Sequence, residues 1–457
     1  MVFSSVIFLW IFLPVVFLGN LLVGRKWSNI FLLLASLIFY AWGEPVRVII
    51  MIFSIIWNWA AGLLIEKTKY KKFSLTAGVA VDLGFLAVFK YAGFFADIVN
   101  GVLGAGFIPR PEIELPIGIS FFTFQAISYI ADVYRGKAKA SADPMPVALY
   151  ISFFPQLIAG PIVQYVSVEK QLKQRTVSFD NMTAGFKRFL YGLGKKVLIA
   201  NVMAECADAA FGMENIGAAA AWMGALTYTL QIYYDFSGYS DMALGLGKIF
   251  GFEFPENFNH PYISKSISEF WRRWHISLGA FFREYVYIPL GGNRKGKGRT
   301  YLNLFIVFFL TGLWHGADLS FILWGLYHGL ISLAERAGLK KLQDKSKVLS
   351  RLVCFVLVLF GWVLFRADNT QAAIHYISCM FGAGGETSLW ELGNKKTWII
   401  TAAAIAGAGP LQSLCPQKIK DKWKDSAPEA LYCMLLLFFC VAALAGNSYN
   451  PFIYFQF

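Results

Sequence analysis

Charge is scarce in this chain. Only 15% of its 457 residues are Asp, Glu, Lys or Arg, while 57% are hydrophobic. That balance excludes an ordinary soluble globular protein, which carries more charge and shorter apolar runs. Cysteine chemistry is thin as well. The six cysteines, at 206, 354, 379, 415, 433 and 440, include no Cys-x-x-Cys pair, so neither a metal-ligand cluster nor a disulfide framework is legible. A phosphate loop is also missing. "GLGKK" (192–196) and "GLGKI" (245–249) lack the Lys-Ser/Thr ending, and their glycines suit close helix packing instead. No long linker, clear repeat or low-complexity tract interrupts the chain, which points to one domain over 1–457.

What is abundant is long apolar sequence. A bilayer-crossing helix needs roughly 20 apolar residues. Candidate stretches run over 2–23, 28–43, 46–65, 73–95, 116–133, 147–165, 186–210, 220–247, 301–317, 319–335, 351–366, 397–412 and 429–446. The fold class is therefore an all-α polytopic membrane protein, with about 11–13 transmembrane helices plus re-entrant and interfacial pieces. The first apolar run has no basic residue before it, and Arg25 and Lys26 follow it. That reverses the signal-peptide pattern and predicts a retained first helix starting outside the cytoplasm.

The net charge of +13 needs no nucleic-acid partner, because no basic face is interleaved with exposed aromatics. Its basic residues cluster in short loops at 66–72, 292–299, 340–351 and 418–424, whereas 96–114 and 366–396 carry more acid and glycine. The positive-inside rule places the first set in the cytoplasm and both termini outside.

Two stretches depart from plain crossings. "FFPQLIAGPIV" (153–163) holds Pro155, Gly160 and Pro161, and prolines free backbone carbonyls that lipid does not tolerate uncovered. A bent or re-entrant element is expected there. The block 247–299 is too polar to span and too apolar for a solvated loop, which suits cytoplasmic or interfacial helices. Just before it, Asp235 and Asp241 lie in apolar helix, six residues apart and so not on one face. Each either pairs with a cation or backbone donor, or, for Asp235, orients a ring or substrate.

His315, in "LTGLWHGADLSFILWGLYHG" (310–329), poses the sharpest question, because an ionisable ring at membrane depth is costly and is either satisfied by packing or functional. Sixteen residues past Arg299, it lies roughly 24 Å along a straight helix at about 1.5 Å per residue. Histidine titrates near neutrality and can take a proton from an alcohol and return it to a leaving group. His328 reads as a packing residue that satisfies its ring against a neighbouring helix. His375 falls in the predicted outer loop, and His260 reads as a turn residue or a ligand contact.

"FWRRWHISL" (270–278) with "GLWHGA" (312–317) resembles the membrane-bound O-acyltransferase superfamily. So do "ELPIGISFFTFQAISYIADVYRG" (114–136), "FFPQLIAGPI" (153–162), "QIYYDFSGYSDMALGLG" (231–247), "GWVLFRADN" (361–369) and the ending "NPFIYFQF" (450–457). Within it, length and C-terminal motifs look most like the bacterial alginate O-acetyltransferase branch, with the teichoic-acid D-alanyl exporters as near neighbours. The resemblance implies helices around a central tunnel in a bacterial inner (plasma) membrane, with His315 catalytic and His275 lining the same tunnel. Asp235, Trp314, Asn259, Gln125 and Ser277 are the expected substrate or tunnel residues. Arg272, Arg273, Lys265 and Arg283 would supply the positive charge for donor phosphates.

The same resemblance implies acetyl-CoA or a similar thioester as co-substrate, with no permanently bound cofactor and no metal. Expected partners are an extracytoplasmic SGNH-type acetyl carrier, a polysaccharide synthesis or export complex and membrane lipid, but no nucleic acid. D-alanyl transfer from a carrier-protein thioester, a non-enzymatic transporter and a non-catalytic scaffold are the rival readings.

Overall fold

The computed structural model describes residues 1–104, 106–339, 346–409, 414, 416–446 and 449–453. It is 76% helical. Among the described residues the sole β pairing is an isolated bridge between Phe258 and Trp274. The expected all-α membrane architecture is borne out. Parts of two predicted features, the 340–351 loop and the 397–412 helix, lie outside the described residues.

The chain packs as two compact units, Met1–Phe189 with Met242–Pro255, and Leu190–Asp241 with Glu256–Phe457. The first contains α1 (Phe8–Leu22), α2 (Gly24–Ala41), α3 (Val48–Lys67), α4 (Lys71–Leu103), α5 (Ile119–Tyr134), α6 (Pro144–Ser152) and α7 (Tyr165–Lys173). Helices α8 (Phe179–Gly194) and α10 (Ala218–Ile249) each contribute residues to both units, with α9 (Asn201–Phe211) between them in sequence. The second unit continues through α11 (Ile267–Arg273), α12 (Ile276–Phe282), α13 (Gly296–His315), α14 (Leu319–Ala334), α15 (Lys347–Arg366), α16 (Thr370–Ser378), α17 (Lys395–Gly407) and α18 (Ala427–Gly446).

Among the described residues four helices, α3, α4, α15 and α18, are long and apolar enough to cross a membrane, and less than half of the most apolar window of each is buried in the protein. Much of the remaining surface is apolar and exposed, as lipid demands. Side chains such as Leu64, Val102, Leu352 and Phe438 are exposed on these helices.

The bend anticipated at 153–163 is present. Helix α6 ends at Ser152, and a short turn Phe154–Leu157 follows. The backbone groups exposed by the break are met inside the first unit. Gln156 Nε2 donates to Tyr150 O at 2.6 Å, Tyr150 OH donates to Val163 O at 2.6 Å, and Phe154 N donates to Ser36 Oγ at 3.1 Å. This is how irregular backbone is tolerated at membrane depth.

The glycines of the two phosphate-loop look-alikes do pack helices together. A Cβ on Gly245 would stand 2.6 Å from Gly185 O, and one on Gly238 would stand 2.8 Å from Gly192 O. Helix pairs at these points approach too closely for any side chain.

Candidate active site

His315 is the last residue of α13. Gly316 leaves the helix in an extended conformation, φ −162°, and Asp318 caps α14 by accepting from Ser320 N at 2.7 Å. The two helices form a tight hairpin because glycines line their contact. A Cβ on Gly312 would meet Phe321 O at 2.5 Å, and one on Gly325 would meet Phe308 O at 2.5 Å. This packing seats the His315 ring, 5% exposed, against Trp314, Trp324 and Phe365, with ring centroids 4.8, 5.0 and 5.2 Å away.

Trp314 is shared with the second histidine. Its ring centroid lies 6.0 Å from that of His275, so the indole touches both imidazoles. His275 precedes α12 with a left-handed backbone, φ 46°, a conformation that costs a non-glycine residue about 1–3 kcal/mol and recurs at functional sites. The local reason is Asn257. Its main-chain carbonyl accepts from Ile276 N at 3.0 Å, and its Oδ1 accepts from Ser277 N at 3.2 Å and from Ser277 Oγ at 2.9 Å.

Because a backbone N–H can only donate, Asn257 presents oxygen rather than nitrogen. His275 Nδ1, 3.1 Å from the same oxygen, must therefore be the protonated nitrogen. Nε2 is left with its lone pair and has no hydrogen-bond partner among the described residues. Complete burial pushes the His275 pKa down to about 3 and keeps the ring neutral. Phe236 covers it edge-on at 4.7 Å. The arrangement is a neutral imidazole in a fixed tautomer with a free basic nitrogen.

The other expected site residues distribute as follows. Ser277 serves Asn257 as described. Asn259, the neighbour in the same motif, is engaged through its main chain, with N donating to Arg273 O at 2.9 Å and O accepting from Arg273 Nη1 at 3.2 Å. Sequence reasoning chose Asn259 and missed Asn257. Asn257 is buried and Asn259 exposed, a difference that the order Asn-Phe-Asn, with both asparagines at alternate positions, does not show.

Asp235 is buried and engaged by Lys196 Nζ at 2.8 Å and Ile453 N at 3.0 Å rather than by either imidazole. Asp241 pairs with Lys195 at 2.6 Å. Gln125 lies in the first unit, fully buried, with neither end of its amide bonded among the described residues.

Among the four cations expected to face a donor, Arg273 is held by Glu269 at 2.9 Å, while exposed Arg272 donates from Nε to Ser268 O at 3.2 Å. Lys265 and Arg283 form no ion pair among the described residues. His328 has the packing role expected of it, with no hydrogen bond to its ring among the described residues. It is fully buried among Trp271, Trp324 and Tyr327 at 5.2–5.4 Å, and neither ring nitrogen has a hydrogen-bond partner among the described residues. Aromatic packing, with Gly361 against Nε2, takes the place of the bond it was expected to make. His375, on α16, donates from Nε2 to Glu214 O at 2.7 Å.

Comparison with known proteins bears on this constellation. Residues 122–367, which include both histidines, match the family model described as MBOAT, membrane-bound O-acyltransferase family. The probable alginate O-acetylase of Pseudomonas putida is 42% identical over the full length of both chains. The peptidoglycan O-acetyltransferase of Helicobacter pylori is 37% identical over 87% of this chain and 82% of its own. The teichoic acid D-alanyltransferase of Bacillus subtilis is 29% identical over 57% of this chain and 72% of its own. A match over more than half the chain, together with full-length identity above 40%, makes this protein a member of the membrane-bound O-acyltransferase family and an O-acyltransferase.

Proposed function

We infer that this enzyme moves an acetyl group from a cytoplasmic thioester, acetyl-CoA, to a hydroxyl of an extracytoplasmic polysaccharide or of a carrier protein that serves one. The observation that carries the reading is the pair of buried imidazoles on one indole, His275–Trp314–His315, within the family-matching region. The greater identity to acetylating relatives than to the D-alanylating one favours acetyl as the group transferred.

His315 acts as general base. It takes the proton of the acceptor hydroxyl as that oxygen attacks the thioester carbonyl; the C–S bond then breaks and the thiolate recovers the proton from the imidazolium. Burial at the end of α13 excludes bulk water that would otherwise hydrolyse the thioester. His275, neutral and oriented by Asn257, positions the acyl carbonyl or the acceptor through its environment at Trp314. Arg272, Lys265 and Arg283 contribute positive charge toward the donor's phosphates. An SGNH-type acetyl carrier within a polysaccharide synthesis or export complex fits as the acceptor on the far side of the membrane. No transient acyl-enzyme is required, since a direct attack uses the groups present.

The test is release of free thiol from acetyl-CoA by the purified full chain, with and without an O-acetylatable polysaccharide or oligosaccharide acceptor. Acceptor-dependent release that collapses in His315→Ala supports the reading. Transfer that survives His315→Ala, or no release with any acyl thioester, overturns it.

A further inference from the structure

A second set of cations gathers in the first unit. Two adjoining clefts, of about 470 and 370 Å³, share Gln174, Arg175 and Thr176. Arg25 and Lys173 line one, and Lys248 lines the other. These residues come from three separate parts of the chain: the start of α2, the segment after α7 and the end of α10.

The centre of the arrangement is Arg175. Its Nε donates to Phe250 O at 3.0 Å, its Nη2 to Ser28 Oγ at 2.7 Å, and its Nη1 to Asn29 Oδ1. The guanidinium lies over the Phe252 ring at 4.5 Å. The neutral acceptors are themselves locked, Ser28 by donating to Asn20 Oδ1 at 2.7 Å and Asn29 by donating to Leu172 O at 2.8 Å. A guanidinium has five N–H donors, so two remain after these three bonds. No carboxylate pairs with Arg175 among the described residues.

Charge balance is unfavourable as it stands. Arg25 donates to Arg175 O at 2.9 Å and so adds a second guanidinium beside the first. Burial, with Arg25 next to it, pushes the Arg175 pKa down to about 10. Lys173 is offset by Glu169 at 2.6 Å. Lys248 and Arg25 have no acid partner among the described residues, and Glu253 is the single acid lining either cleft. Neutral acceptors satisfy N–H groups but do not cancel a desolvated charge. A fixed, rigid arginine fork beside two further cations is the geometry that takes a phosphate. The clefts also fall on the side that the charge asymmetry of the loops assigns to the cytoplasm.

We propose that these clefts bind phosphate, with Arg25, Arg175 and Lys248 as its ligands, the phosphate belonging to a soluble phosphorylated cosubstrate or to an anionic lipid headgroup. This site is independent of the acyl-transfer reading, and binding rather than turnover tests it. The full chain is reconstituted in phosphatidylcholine nanodiscs and titrated calorimetrically with inorganic pyrophosphate. In parallel, retention of phosphatidylglycerol from mixed vesicles is measured by native mass spectrometry. Because Arg175→Gln removes three structural bonds, the deciding variant is the double substitution Arg25→Gln with Lys248→Gln, checked for an unchanged melting temperature. It should weaken one of the two probes at least about tenfold, the scale of a charge-assisted hydrogen bond. Loss of pyrophosphate identifies a soluble ligand, and loss of phosphatidylglycerol identifies a lipid. Wild-type protein that binds neither probe, or a double variant that binds both within twofold of wild type, overturns the proposal.

Discussion

His275 gives its Nδ1 proton to Asn257 Oδ1 at 3.1 Å, and that one contact decides which nitrogen of the ring remains basic. Asn257 can impose the choice because Ser277 N–H and Oγ already fix its amide. An orienting residue of this kind has measurable consequences beyond those of the histidine itself.

Asn257→Ala should lower turnover roughly tenfold with little change in donor KM, because it frees the ring without touching the donor. Asn257→Asp places a carboxylate against Nδ1 and raises the His275 pKa from about 3. Its turnover should then fall on the acid side as the imidazolium accumulates, while the parent shows no such limb from this group above about pH 4. Superimposable pH–rate profiles for parent and Asn257→Asp would refute the assigned tautomer.

Stability carries a second signature of His275. Its folded pKa lies below that of an exposed imidazole, so the unfolded chain binds the extra proton first as pH drops. Thermal stability contributed by this group is complete above about pH 6.5 and is lost as pH falls from there toward 3. His275→Gln should flatten that slope, a result readable by melting the detergent-solubilised protein at a series of pH values.

His315→Ala should leave an inserted, folded protein with acyl transfer reduced by roughly 10²–10⁴, and His315→Gln should do no better because an amide cannot accept the proton. His328→Ala should behave oppositely. Emptying its aromatic cage costs about 2–4 kcal/mol of stability, yet activity per folded molecule should persist. Near-normal transfer by His315→Ala, or a dead but stable His328→Ala, would reverse the assignment.

Lys196 and Asp235 are 3% and 2% exposed and 2.8 Å apart. Removing one partner strands a buried charge, so Lys196→Met or Asp235→Asn alone should cost about 3–5 kcal/mol. The double variant should cost less than the sum. Equal and additive losses in a thermal-melt cycle would show that the two charges are not coupled.

Arg272 and Arg273 should separate. Arg272→Gln, at an exposed cation with no acid partner among the described residues, should raise donor KM while turnover holds. Arg273→Gln should cost up to about 1 kcal/mol of stability through loss of its half-exposed pair with Glu269. An unchanged KM in Arg272→Gln removes it from the donor site.

Several features were legible from residue order alone. The apolar runs, the break at 153–163 and the polar block at 247–299 follow from local composition, because a bilayer filters by hydrophobic length and by backbone satisfaction. The glycines at 192 and 245 show the limit of that reading. Their type suggested close packing, but which helix each one meets depends on a fold that brings distant segments so close that an added Cβ would stand within 3 Å of a neighbouring carbonyl oxygen.

The charged residues divide the same way. Spacing correctly placed Asp235 and Asp241 on different faces of α10, about 120° apart at 100° per residue. It could not show that adjacent lysines at 195 and 196, themselves about 100° apart, would meet one aspartate each. His315 stood out because an imidazole in an apolar helix is anomalous in any context. Asn257 did not, because an asparagine two residues after a proline in a polar loop is ordinary until the chain folds back and sets its amide beside His275. Sequence by itself determined where the chain meets lipid and which ring is out of place, since those depend on side-chain type and period. Only the tertiary structure decided which nitrogen is basic, which carboxylates are spent on lysines and which arginine lacks an acid, because those depend on groups 18 to 146 positions apart.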